Sequence, residues 1–61
     1  MIDYYTYDIE VYPNIFTLAM RRYNTGDRWL FECSSRRNDL LAMVELLFWL
    51  KENNAIMVHR S

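Results

Sequence analysis

The sequence predicts an α+β domain with the element order β-β-β-α-β: an antiparallel three-strand meander, one helix and a fourth strand. Three observations carry this expectation. Two runs rich in aromatic and β-branched residues lie on either side of Pro13, which cannot sit inside a paired strand. A third such run follows the turn-forming tetrapeptide Asn24-Thr25-Gly26-Asp27. Finally, a long apolar stretch is framed by asparagines suited to capping a helix at both ends, and a short apolar run follows it.

The first strand is expected over residues 4–12, YYTYDIEVY, and the second over 15–23, IFTLAMRRY. Gly26 is free to take positive φ, so the chain can reverse there and return as a third strand over 28–33, RWLFEC. Links this short join antiparallel neighbours. Residues 34–37 form a polar loop. Asn38 then offers an N-cap, and Asp39 falls in the first turn, where negative charge suits the helix dipole. The helix spans 39–52 and stops at Asn53-Asn54, since asparagine tolerates the left-handed C-cap conformation. Residues 55–58 read as the fourth strand, paired parallel to the first through a crossover, so the helix covers one face of a mixed sheet.

Residues 1–61 read as a single small domain without repeats, linkers or low-complexity tracts. Below about 70–80 residues a lone core rarely supplies more than roughly 3–5 kcal/mol, so a staple or partner is usual. The only cysteine is Cys33, which excludes an internal disulfide, and one cysteine with one histidine excludes the common zinc sites. A content of 52% hydrophobic and 16% aromatic residues argues against disorder. Seven basic against eight acidic residues leave a net charge of −1, without the overall basic footprint of a sequence-independent nucleic-acid binder. Asp3, Asp8 and Glu10 occupy the region where a secretory signal would be apolar. The near-apolar run 40–50 has about half the roughly 20 residues of a membrane span. A cytoplasmic protein is expected.

The chemistry is concentrated in the first strand. Alternation puts Asp8 and Glu10 on the same side, about 7 Å apart at Cα, and sends Tyr7, Ile9 and Val11 toward the core. Two carboxylates so placed suit hard cations such as Mg²⁺ or Mn²⁺. A pair of such ions about 3.5–4 Å apart can activate water and stabilise a leaving oxygen in phosphodiester cleavage. The run Tyr7-Asp8-Ile9-Glu10-Val11-Tyr12-Pro13-Asn14 resembles the first motif of the DEDD-type 3′–5′ exonuclease domain of phage and family B-type DNA polymerases, where a hydrophobic-Asp-Ile-Glu strand opens an RNase H-like fold. The resemblance implies that Asp8 and Glu10 are catalytic metal ligands, that Mg²⁺ or Mn²⁺ is the cofactor, and that DNA is the substrate of the full-length relative. It also implies a truncated domain. Further acidic residues of that family have no counterpart here, and His59-Arg60-Ser61 follows the fourth strand. Weak metal binding and no useful nuclease activity are expected of this chain alone.

The remaining residues have plainer readings beside functional ones. His59 is expected to be a disordered chain-end residue and Cys33 a small core residue of the third strand. Arg21-Arg22 and Arg36-Arg37 are expected to be solvated, and the tyrosines of the first strand to reflect strand propensity more than base stacking. The helix is apolar almost all round, with Glu45 and Glu52 marking a narrow polar stripe, so it is expected to meet something beyond its own sheet. Phe48 and Trp49 are the anchors for such a partner. The partner is a protein or a second copy docking along helix 39–52. In the alternative functional reading the chain is a small phage-encoded inhibitor of a host nucleic-acid-targeting defence complex.

Overall fold

The computed structural model describes residues 2–60. Strands β1 (Tyr4–Tyr12), β2 (Ile15–Arg22) and β3 (Arg28–Cys33) precede helix α1 (Leu40–Glu52) and strand β4 (Ile56–His59). They form one mixed sheet in the order β3-β2-β1-β4, with β4 parallel to β1 and the other pairs antiparallel. The expected architecture is therefore the observed one, and element ends move by a residue at most. Tyr23 leaves the second strand, the helix starts at Leu40, and the fourth strand occupies 56–59 rather than 55–58.

Local chemistry accounts for each reversal. Pro13-Asn14 closes a two-residue hairpin loop between the paired residues Tyr12 and Ile15. Gly26 sits at φ 78° and donates its N–H to the Arg22 carbonyl at 2.8 Å. Asn54 takes φ 54° just beyond α1, and Ala55 N–H returns to the Leu50 carbonyl at 3.0 Å, which ends the helix as a left-handed cap does. The N-terminus differs from expectation. Asp39 is the cap residue rather than part of the first turn, and its carboxylate accepts from the Glu32 N–H of β3 at 3.0 Å, so the acid is tied to the sheet. The helix draws its side-chain acceptor from Asn38, whose Oδ1 meets the Leu40 N–H at 3.1 Å.

The core is Tyr5, Leu18, Met20, Phe31 and Leu50, with Tyr7, Phe16, Trp29, Met43, Leu46 and Leu47 packed around it. Tyr5 and Trp29 rings pack at 5.9 Å between centroids. One expectation fails here. Tyr7 is half-buried, but Ile9 is 43% and Val11 71% exposed. The cause is the path of α1. It leaves from the Cys33 end of β3, level with Phe16 and Val11, and delivers the chain to Ile56 beside Tyr4. It thus crosses the sheet diagonally and leaves the far end of β1 uncovered on the helix side.

Candidate functional site

β1 is interior, with β2 on one side and β4 on the other. Tyr5 and Tyr7 point to the helix side, so alternation sends Thr6, Asp8 and Glu10 to the open face. Strand register lays that face out in rows. Arg28, Arg21, Thr6 and Val58 form one row across β3, β2, β1 and β4. Leu30, Ala19 and Asp8 form the next, and Arg60 follows directly on β4 with its N–H on the Tyr7 carbonyl at 2.7 Å. Glu32, Thr17 and Glu10 form a third. The two acids flanking Ile9 therefore share one side of an interior strand, as the period-2 reading requires.

Their surroundings differ. Asp8 is half-buried and lines a shallow concavity of about 400 Å³ with Thr6, Ala19, Arg21, Arg28, Leu30 and Arg60. Glu10 lies outside it, exposed, and accepts a hydrogen bond from the Tyr12 hydroxyl at 3.1 Å. That bond and the adjacent negative charge hold the Tyr12 phenol above its usual pKa. The donor set fits Mg²⁺ or Mn²⁺ in kind, being carboxylate oxygen on a solvent-facing strand. It is short in number: among the described residues no three His, Cys, Asp or Glu side chains gather around one point. Glu32, in the same row as Glu10, is engaged elsewhere. It accepts from Ser34 Oγ at 2.8 Å and Arg36 Nε at 3.2 Å, and these bonds hold its carboxyl below the usual glutamate range.

Phe48 and Trp49 are 62% and 46% exposed, on the far side of the molecule from the acids. Leu41, Glu45, Phe48 and Glu52 make the outward line of α1, with Leu41 71% exposed. The two sets of predicted site residues are therefore separate surfaces.

Several expectations change. His59 is not a loose chain end: it closes β4, and its ring lies 5.1 Å from that of Tyr7. The arginines expected to be solvated are so at Arg36 and Arg37, 81% and 50% exposed, but three of the four also carry an ion pair. Arg22 forks onto Asp3 at 2.9 and 3.1 Å and lies over the Tyr5 ring, Arg36 pairs with Glu32, and Arg37 with Asp39. Cys33 is half-buried at the end of β3, with a free thiol. Residues missed entirely are Arg28 and Arg60, which join Arg21 around Asp8. The turn residues alone do not reveal them: counting outward from 24–27 sets Tyr23 opposite Arg28, whereas the observed register, shifted by two, sets Arg21 there.

No helix among the described residues is long and apolar enough to cross a membrane. No family model, curated protein or solved structure matches the chain.

Proposed function

We propose that this chain is related to the opening segment of a 3′–5′ proofreading exonuclease domain of the phage DNA polymerase type, and that Asp8 and Glu10 are the metal ligands it contributes. One observation supports the reading above others. Both carboxylates leave the uncovered side of an interior strand, and the side bearing α1 is left to the core. A divalent ion bound there would supply a Lewis acid to a phosphodiester. The protein's part is to hold two hard oxygen ligands in fixed register, with Ala19 keeping the space beside Asp8 open. With only two protein ligands the chain binds such an ion weakly, and water completes the shell.

Titration with Mn²⁺, followed by amide NMR, tests this directly. Selective broadening is expected for residues 8–10 and for 17–19 across the strand pair, and its loss is expected in Asp8→Asn. Broadening centred elsewhere, or unchanged in Asp8→Asn, rejects the metal pair. Joining the chain to the downstream carboxylate motifs of that family should then yield Mg²⁺-dependent 3′–5′ hydrolysis that Asp8→Ala abolishes.

A second reading is favoured by the exposure of Leu41, Phe48 and Trp49: a small protein that inhibits a host nucleic-acid-targeting defence complex through this apolar surface. In that case the chain inhibits a reconstituted defence nuclease, and a Phe48→Ala, Trp49→Ala variant with unchanged melting does not. Equal inhibition by the variant removes the reading.

A further inference from the structure

The two edges of the sheet differ in what their backbone groups meet. On β3 the Leu30 carbonyl accepts from Arg37, and the Glu32 N–H and carbonyl are taken by the carboxylate and N–H of Asp39. On β4, Ile56 and Arg60 give their N–H groups to the Asp3 and Tyr7 carbonyls. Alternation therefore turns the N–H and C=O groups of Met57 and His59 outward, where they have no hydrogen bond among the described residues. This edge is also undefended. Ile56-Met57-Val58-His59 contains no proline, lysine or acid, the residues that usually block an edge, and Ile56, Met57 and Val58 are all exposed.

We propose that β4 pairs antiparallel with β4 of a second copy, Val58 opposite Val58 across a twofold axis, so that two four-stranded sheets become one. Donors and acceptors facing out at every second residue call for an extended strand, and β4 complements itself. With the axis at Val58, Met57 and His59 of one chain meet His59 and Met57 of the other in two pairs that each exchange two hydrogen bonds. The β-branched Val58 side chains, both on the open face, meet between those pairs at about 4.5 Å in Cα separation. Each Ile56 then lies under the aliphatic stem of the other chain's Arg60. Charge and hydrogen bonding fix the register. This axis keeps the two Arg60 residues about 14 Å apart along the strands, beyond a Debye length of about 8 Å. One step toward the C-terminus halves that distance. One step the other way sets His59 against Ala55, whose N–H is already on the Leu50 carbonyl. Closure follows from the covered β3 edge: each chain has one open edge, so pairing ends at two copies instead of running on as a fibre. A single strand pair is a small interface, below the roughly 1,200 Å² of a standard specific complex, so a dissociation constant of about 10 µM or weaker is expected. The pairing uses neither Asp8 nor Glu10 and does not rest on the metal reading.

Sedimentation equilibrium from about 5 to about 500 µM, bracketing that affinity, tests the pairing. Wild type is expected to pass from monomer to dimer. Val58→Lys sets two ammonium groups against each other at the axis and is expected to weaken association about tenfold or more. It leaves the melting temperature of dilute protein unchanged, because Val58 is exposed and lies outside the core. Val58→Thr, still β-branched, and Phe48→Glu, on the helix, keep the dimer. Oxidative cross-linking in a Cys33→Ser background reads the register without a change of charge. Val58→Cys forms a disulfide-linked dimer, whereas Ile56→Cys, whose two copies lie about 14 Å apart, does not. Four results overturn the proposal: a monomer at every concentration, association unchanged in Val58→Lys, species larger than a dimer, or Ile56→Cys cross-linking as readily as Val58→Cys.

Discussion

At the scale of single residues, charge is placed more selectively than composition indicates. Glu32 is nearly buried at the end of a row whose other acid, Glu10, is exposed. Hydrogen bonds from Ser34 and then Arg36 lower its pKa below the ordinary glutamate value. The folded state therefore favours the ionised form. Its contribution is complete above the unfolded value, about 4.3, and disappears as pH falls through and below it. Glu32→Gln should lower the melting temperature at neutral pH and flatten the acid limb of the melting profile between about pH 5 and pH 3. An acid limb as steep as wild type would show that the titration resides elsewhere. The bidentate Arg22–Asp3 bridge has a different role: with the guanidinium over Tyr5, it fixes the chain entering β1 to the end of β2.

At the scale of elements, α1 shows how an almost wholly apolar helix divides its work. Leu50 is 1% exposed against Tyr5 and the β2–β3 face, whereas Phe48 two positions earlier points to solvent. Leu50→Ala is expected to cost about 2–5 kcal/mol, most of what a domain of this size possesses, and to leave the chain largely unfolded by circular dichroism. Phe48→Glu should change stability by about 0.5 kcal/mol or less, because nothing packs over it. A large loss in Phe48→Glu would mean that the helix is rotated from the orientation described. β4 gives a second check. Ile56 and Arg60 donate to β1, so the alternating amides of Met57 and His59 face the outer edge. Hydrogen exchange should be slow at Ile56, Val58 and Arg60 and fast at Met57 and His59. The reverse pattern would refute the parallel register.

For the whole molecule, the two flanks of the sheet are unequal. Beyond β3, Asp39 bonds the Glu32 N–H, Ser34 N–H meets the Arg37 carbonyl, and Arg37 reaches the Leu30 carbonyl, so residues 34–39 cover that edge. The outer side of β4 carries no such cover among the described residues, and Ile56 and Val58 beside it are exposed. Leu41 and Phe48 on α1, with Ile9 and Val11 on the uncovered end of β1, add further apolar surface. Self-association at high concentration is the expected consequence. Sedimentation across a dilution series should detect it, with Phe48→Glu shifting the equilibrium toward monomer if the helix is the interface. Protection of the Met57 and His59 amides at high concentration would instead locate the interface at β4. A single monomeric species at every concentration excludes both.

By itself the sequence determined the element order, the hairpin positions, the C-terminal helix cap and the common side of Asp8 and Glu10, because these follow from alternation, turn residues and capping, all local within a few positions. It also marked Phe48 and Trp49 as surface candidates, from the excess of apolar residues in one helix. Only the tertiary structure decided that Ile9 and Val11 stay exposed, since that depends on the diagonal path of α1 from β3 to β4. It likewise decided which arginines are neutralised. Asp3, Glu32 and Asp39 reach their partners through strand pairing and the return of residues 34–39 on β3, and Arg60, just past β4, is brought beside the Arg21–Arg28 hairpin pair by the parallel pairing of β4 with β1.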